Sequence, residues 1–210
     1  MLVRRLDRGD TLIEVLFAIT VFSLIIVTSL SIMNQGIAAA QRSLEITQVR
    51  QQIDGQADTL RFLHDSYVAV YRTGVTSADL TGPAKQWALI METSSVSVAS
   101  PFSSTATCER PSGRDFIVNP KTATFVSTST MPTLFNTDPT TFARLTYNAG
   151  GTLTGSQGVW VEAVRSAISP DPTRANVGYV DFHIRSCWYT PGLSSPMTIG
   201  TIVRLYEPRG

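Results

Sequence analysis

Residues 15–33 carry fourteen apolar side chains and five Ser or Thr, and no charge appears anywhere between Glu14 and Arg42. At ~1.5 Å rise per residue this run spans roughly 28 Å as a helix, close to the ~30 Å hydrocarbon thickness of a bilayer. A helix of that kind has to be enclosed by lipid or by other protein. The same run explains why a chain so rich in Ser and Thr has a mean hydropathy of +0.08. The rest of the composition narrows the field further. With 210 residues, 43% hydrophobic and net charge +1, the chain is too apolar for disorder, large enough for one ordinary core, and too weakly charged to bind nucleic acid through bulk electrostatics. Two cysteines are too few for a disulfide-dense miniprotein.

Arg4, Arg5 and Arg8 stand before the apolar run against Asp7 alone. The positive-inside rule therefore leaves the N-terminus in the cytoplasm and exports everything after about residue 36. A secretory signal peptide is one reading, with Ala38-Ala39-Ala40 as its small-residue cleavage pattern, although its apolar region is normally only ~7–15 residues long. A plain signal anchor is another. Neither accounts for Glu14, a carboxylate at the start of the run. A charge inside a membrane helix costs ~2.5–3.5 kcal/mol at its centre and less near the interface, so it marks a partner or a function.

The residues around Glu14 read Arg4-Arg5-Leu6-Asp7-Arg8-Gly9-Asp10-Thr11-Leu12-Ile13-Glu14. A short basic leader, a glycine, a glutamate five residues later and an immediate apolar run resemble the class III signal of type IV prepilins and pseudopilins, over residues 1–41. The resemblance implies cleavage between Gly9 and Asp10 by a membrane-embedded prepilin peptidase, with the apolar helix retained as the core of a filament. It also implies that Glu14 pairs, in the assembled filament, with the new α-amino group of a neighbouring subunit. Two departures stand out: Asp10 occupies a position where Phe is usual, so N-methylation of this terminus would act on an acidic residue, and no proline precedes Pro83. Gly36 is the candidate point of flexibility in their place.

From residue 37 to 71 the pattern turns amphipathic, with Ile46, Ile53, Leu60 and Tyr67 at seven-residue spacing and Val49, Ala57 and Leu63 beside them. This predicts one helix continuing from the apolar run to about residue 72, with Gly74 as its C-cap. Gly55 and Gln56 interrupt the repeat, which favours packing on the chain's own domain over a dimeric coiled coil. After residue 75, Ser, Thr, Gly and Pro separate short alternating runs, the signature of strands and loops. The predicted strands are 86–91, 114–118, 142–147, 158–165, 177–186 and 199–206, with an exposed Ser/Thr-rich stretch over 93–107. In 177–186, Val180, Phe182 and Ile184 alternate with Tyr179, Asp181, His183 and Arg185, so one face is predicted buried and the other wet. Asn148-Ala149-Gly150-Gly151 predicts a hairpin turn, and no Lys-Ser or Lys-Thr follows it to make a phosphate loop.

Cys108 and Cys187, the two thiols, both fall in the exported part, where oxidising conditions are common. A bridge would close a loop of about 80 residues and stabilise by ~4–5 kcal/mol in the chain-entropy model; two unpaired thiols are the alternative. A single disulfide clamping the C-terminal region is also what the pilin resemblance implies. His64 and His183 lack a second ligand at metal spacing and are assigned to a helix surface and a solvent-facing strand. No nucleophile elbow or paired carboxylates stand out, so no enzyme activity, metal or cofactor is expected. Trp87, Trp160 and Trp188 are assigned to the core or its rim, an exposed one being a possible adhesive contact.

The sequence thus predicts an α+β, pilin-like fold in which a long N-terminal helix, transmembrane in its first half, packs on a C-terminal antiparallel sheet. Its segments are a cytoplasmic leader (1–9), a membrane or filament-core helix (10–36), an amphipathic continuation (37–74) and a β-sheet head (75–210). The expected function is that of a minor type IV pilin or pseudopilin subunit. Its partners would be other pilin subunits, the prepilin peptidase, the inner-membrane assembly machinery, and membrane lipid before assembly. Without its leader the chain holds 14 Lys+Arg against 15 Asp+Glu, so nucleic acid could bind only through a local patch. The competing reading is a single-pass anchored or secreted binding protein unrelated to filaments.

Overall fold

The computed structural model describes residues 10–98, 108, 114–127, 141–166 and 178–208. The chain divides into two units, Met1–Leu44 and Glu45–Gly210. Helix α1 covers Asp10–Val70, 61 residues, and Gly36 and Gly55 both lie inside it. Each glycine costs ~1 kcal/mol of helix propensity without ending the helix.

In the first unit every residue from Thr11 to Ile37 is exposed. Three hydroxyls in this stretch are satisfied locally: Thr20 donates to the Phe17 carbonyl (2.7 Å), Ser23 to Ile19 (2.8 Å) and Thr28 to Leu24 and Ile25 (2.9 Å each). These three hydroxyls therefore need no outside partner, which suits a helix in apolar surroundings.

In the second unit the predicted stripe is the core. Val49, Ile53, Ala57, Leu60 and Leu63 are 0–4% exposed and pack with Phe116, Val118, Val161, Ala163, Val180, Phe182 and Ile184, while Ile46 and Tyr67 flank them. The coiled-coil alternative is excluded for these positions, because the chain's own sheet occupies the stripe.

That sheet is built from β1 (Ser95–Val96), β2 (Phe116–Asn119), β3 (Thr124–Ser127), β6 (Val159–Arg165), β7 (Tyr179–Trp188) and β8 (Met197–Tyr206), in the order β3-β2-β6-β7-β8. The β6–β7 and β7–β8 ladders run antiparallel over seven and ten residue pairs. Beside them, β1 pairs with β6 in parallel through Ser95↔Ala163 and Val96↔Val164, the one departure from antiparallel order among the described strands. A separate antiparallel hairpin, β4 (Arg144–Tyr147) and β5 (Leu153–Gln157), turns through Asn148–Gly151, as the sequence predicted.

Several expectations are corrected. Residues 86–91 are not a strand; they lie in α2, Gly82–Thr93, which buries Ala84, Trp87, Ala88 and Ile90. A strand here requires period two, whereas Pro83 in the first turn and the 84/87/88 spacing carry a helical period. The expected exposed stretch over 93–107 begins instead with the end of α2 and strand β1; residues 99–107 lie outside the described set. Gly74 does not cap α1, which ends at Val70. It sits at φ +82° in a turn closed by Val75 N–H donating to the Arg72 carbonyl (3.1 Å).

The outer face of the sheet is less wet than predicted. Arg185 and Glu162 are both buried and form an ion pair at 3.1 Å. The His183 imidazole is held below its usual range by burial and by the Arg185 charge. His64 is not a free surface residue: its Nε2 donates to the Tyr206 carbonyl (2.8 Å) and its ring meets Trp87 edge-on at 5.0 Å. All three tryptophans are buried, at 5% exposure or less, so none offers an adhesive surface.

Candidate functional site

The first candidate is the surface of α1 itself. Phe17 (70% exposed), Phe22 (63%), Leu24 (66%) and Val27 (66%) point around the whole helix circumference rather than along one stripe. A helix apolar on every side is stable only when enclosed. By length and composition it is able to cross a membrane. Glu14 lies exposed near its start, with no hydrogen bond or ion pair to any described residue. Asp10 is the first residue of α1, and Gly9 lies outside the described residues.

The second candidate is where the C-terminal half of the sheet is fastened to α1. Cys187 near the end of β7 is bridged to Cys108, with Cα atoms 5.5 Å apart. The adjacent Trp188 donates its indole N–H to Glu45 Oε2 at 3.1 Å, and the Thr190 hydroxyl donates to the same oxygen. A carboxylate on α1 thus ties down the residues that follow the disulfide. Sequence reasoning missed Glu45, and its signal was present: Glu45, Gln52 and Gln56 are polar residues seven and four apart, running beside the apolar stripe.

Gln56, which interrupts the apolar stripe, has a structural task. Its amide donates to the Val118 carbonyl (2.7 Å) and accepts from the Val118 N–H (2.8 Å). Strand β2 meets β6 only at Phe116↔Val161, so the Gln56 side chain takes the place of the next ladder partner.

Three surface clefts accompany these features in the head. One of about 550 Å³ is lined by Tyr67, Tyr71, Trp87, Glu92, Arg165 and Glu207, among others, and Arg165 and Glu207 are already paired at 2.9 Å. Another, of about 560 Å³, lies at His183, Arg185 and Gly200. The third, of about 410 Å³, lies between α1 and the β4–β5 hairpin. Among the described residues no group of three or more His, Cys, Asp or Glu is placed to hold a metal ion. No family model, curated protein or solved structure matches the chain.

Proposed function

We propose that the chain is a membrane-anchored, exported protein, held by α1 in the cytoplasmic membrane with its N-terminus in the cytoplasm. Within that class we assign it to the minor type IV pilins or pseudopilins, cleaved after Gly9 and assembled through residues 10–36. The observation that carries this reading is the pairing of two features on one helix. Residues 11–37 are exposed and apolar on all sides, and the single carboxylate among them, Glu14, stands near the new terminus that cleavage would create.

The chemistry follows from charge burial. In a filament the apolar helices enclose one another, and an isolated carboxylate there is strongly disfavoured. The α-amino group of Asp10 on a neighbouring subunit neutralises Glu14, and losing one partner of such a buried pair typically costs ~3–5 kcal/mol. Pairing therefore selects the vertical register in which a subunit enters. The Glu45 contacts hold the end of β7 on the far part of α1, and the adjacent disulfide joins that strand to Cys108, outside the cell or in the periplasm. The test is Glu14→Val: the precursor is processed normally, while the amount of the protein recovered in sheared filaments or pseudopili falls at least tenfold. Undiminished incorporation would remove the role given to Glu14.

A further inference from the structure

We infer that the open edge of β8 pairs with the same edge of a second copy of this chain, antiparallel and centred on Thr201. β8 is the last strand of its sheet, and among the described residues no strand pairs with its far side. The opposite margin is covered: the Phe125 N–H of β3 donates to Gln86 Oε1 on α2 at 2.9 Å. An exposed edge is a template for another strand and is normally blunted by charge, proline or a bulge. From Met197 to Val203 this edge carries neither charge nor proline, and its ten-residue register against β7 is unbroken. Arg204, the one charge in β8, is held by two 2.7 Å hydrogen bonds to Asp181 and lies 3.9 Å from the Tyr179 ring centroid.

The direction of the backbone groups fixes which residues meet. The Glu207 N–H donates to the Gly178 carbonyl (2.7 Å), so in the alternating antiparallel pattern the odd-numbered residues of β8 bond to β7. The even-numbered ones, 198, 200, 202, 204 and 206, turn their N–H and C=O outward. Two positions of this outward series are incomplete. The Tyr206 carbonyl already accepts from His64 Nε2 (2.8 Å), and Pro196, just before β8, has no N–H to give. With Thr201 opposite Thr201, Tyr206 falls opposite Pro196, so the carbonyl that needs no donor meets the residue that lacks one. Thr198 then pairs with Arg204 and Gly200 with Ile202, twice over by symmetry, and their outward groups are all satisfied. A slide of two residues either way sets the occupied Tyr206 carbonyl against the Thr198 N–H, or Pro196 against the Arg204 carbonyl, and orphans a group in each copy.

The side chains agree with this register. Ile202, 59% exposed, lies opposite Gly200, whose bare backbone lines a groove of about 560 Å³ with His183 and Arg185. Each copy's Ile202 enters the other's groove against the Arg185 stem, whose charge is paired with Glu162 at 3.1 Å. Arg204 faces Thr198, so no like charges are opposed. The two-fold axis runs along the sheet normal and also reverses residues 45–70 of α1, so the pair joins heads of chains on separate membranes or filaments, not neighbours in one. The pairing does not rest on the filament reading.

The test uses the full-length protein in detergent micelles under mild oxidation. Thr201→Cys lies on the two-fold at a non-hydrogen-bonded pair, where Cα atoms are ~4.5 Å apart, and cross-links to a dimer. The two copies of Thr198→Cys stand roughly 20 Å apart, six residues at ~3.4 Å each, and cross-link at least tenfold less. Adding Ile202→Lys to Thr201→Cys lowers its cross-linking at least tenfold, with the urea midpoint of the head unchanged. In the unsubstituted protein, the amides of Gly200 and Ile202 exchange more slowly as protein concentration rises. Cross-linking of Thr198→Cys equal to or above that of Thr201→Cys, cross-linking indifferent to Ile202→Lys, or exchange at Gly200 and Ile202 independent of concentration would each overturn the proposal.

Discussion

Gln56 provides the sharpest test of how the head is held together. It is 1% exposed and makes both of its hydrogen bonds to the backbone of one residue, Val118, at 2.7 and 2.8 Å. Gln56→Leu keeps the volume but leaves a buried N–H and a buried C=O without partners. At ~1–3 kcal/mol for each orphan, the loss is about 2–6 kcal/mol, a large share of the ~5–15 kcal/mol typical of a folded domain.

Gln56→Glu refines the test. A carboxylate still accepts from the Val118 N–H, but it offers a donor to the Val118 carbonyl only when protonated. Burial and that carbonyl both favour the neutral acid, so its folded pKa rises above the ~4.3 of an unfolded glutamate. The native state then binds more protons than the unfolded state. The stability of this variant relative to the parent protein is highest below about pH 4 and falls as pH rises through the raised pKa. Urea unfolding of the full-length protein in micelles reads both variants through tryptophan emission, since Trp87, Trp160 and Trp188 are all buried in the head. A Gln56→Leu loss below ~0.5 kcal/mol, the range of ordinary surface changes, or a Gln56→Glu stability that does not fall relative to the parent toward neutral pH, refutes the reasoning.

Other perturbations have equally definite outcomes. At Gly158 the backbone has φ +63° and an added Cβ would lie 1.9 Å from the Cys187 carbonyl oxygen, so Gly158→Ala lowers stability by about 2–4 kcal/mol in the same urea assay. Reducing the Cys108–Cys187 bridge, which spans 79 residues, lowers it by ~4–5 kcal/mol in the chain-entropy model, seen as a shift in midpoint between oxidised protein and protein kept in reductant. Arg204 donates two 2.7 Å hydrogen bonds to Asp181 and holds that carboxyl below its usual range. Its contribution is present above about pH 4, the unfolded aspartate value, and fades as pH falls further. Asp181→Asn therefore flattens the acid limb of the stability profile.

Much of this architecture was legible because period and burial agree locally. The heptad from Ile46 to Tyr67 is long enough to fix both the helix and its buried side, and the strict alternation of 180, 182 and 184 fixes the core face of β7. The Asn148-Ala149-Gly150-Gly151 turn before Thr152 announces its hairpin. Misreadings came where a run was short or a polar residue served a distant one. Ala84-Lys85-Gln86-Trp87-Ala88 fits either period over so few residues, and only its packing through Ala84, Trp87 and Ala88 selects a helix. Glu45 and Gln56 look like flaws in a stripe until Trp188 and Val118, 143 and 62 residues away in sequence, are brought against them. The cleft lined by Gln52 and Tyr147 depends on a similar long-range meeting, which no local pattern encodes.

The central claim is that residues 1–9 are removed and the apolar helix is kept. The direct measurement is the N-terminal residue of the protein extracted from membranes, read by Edman degradation or by mass spectrometry of the intact chain. The account predicts Asp10. Met1 would make α1 a plain anchor and Gln41 would make it a discarded signal peptide, and either result contradicts the filament reading.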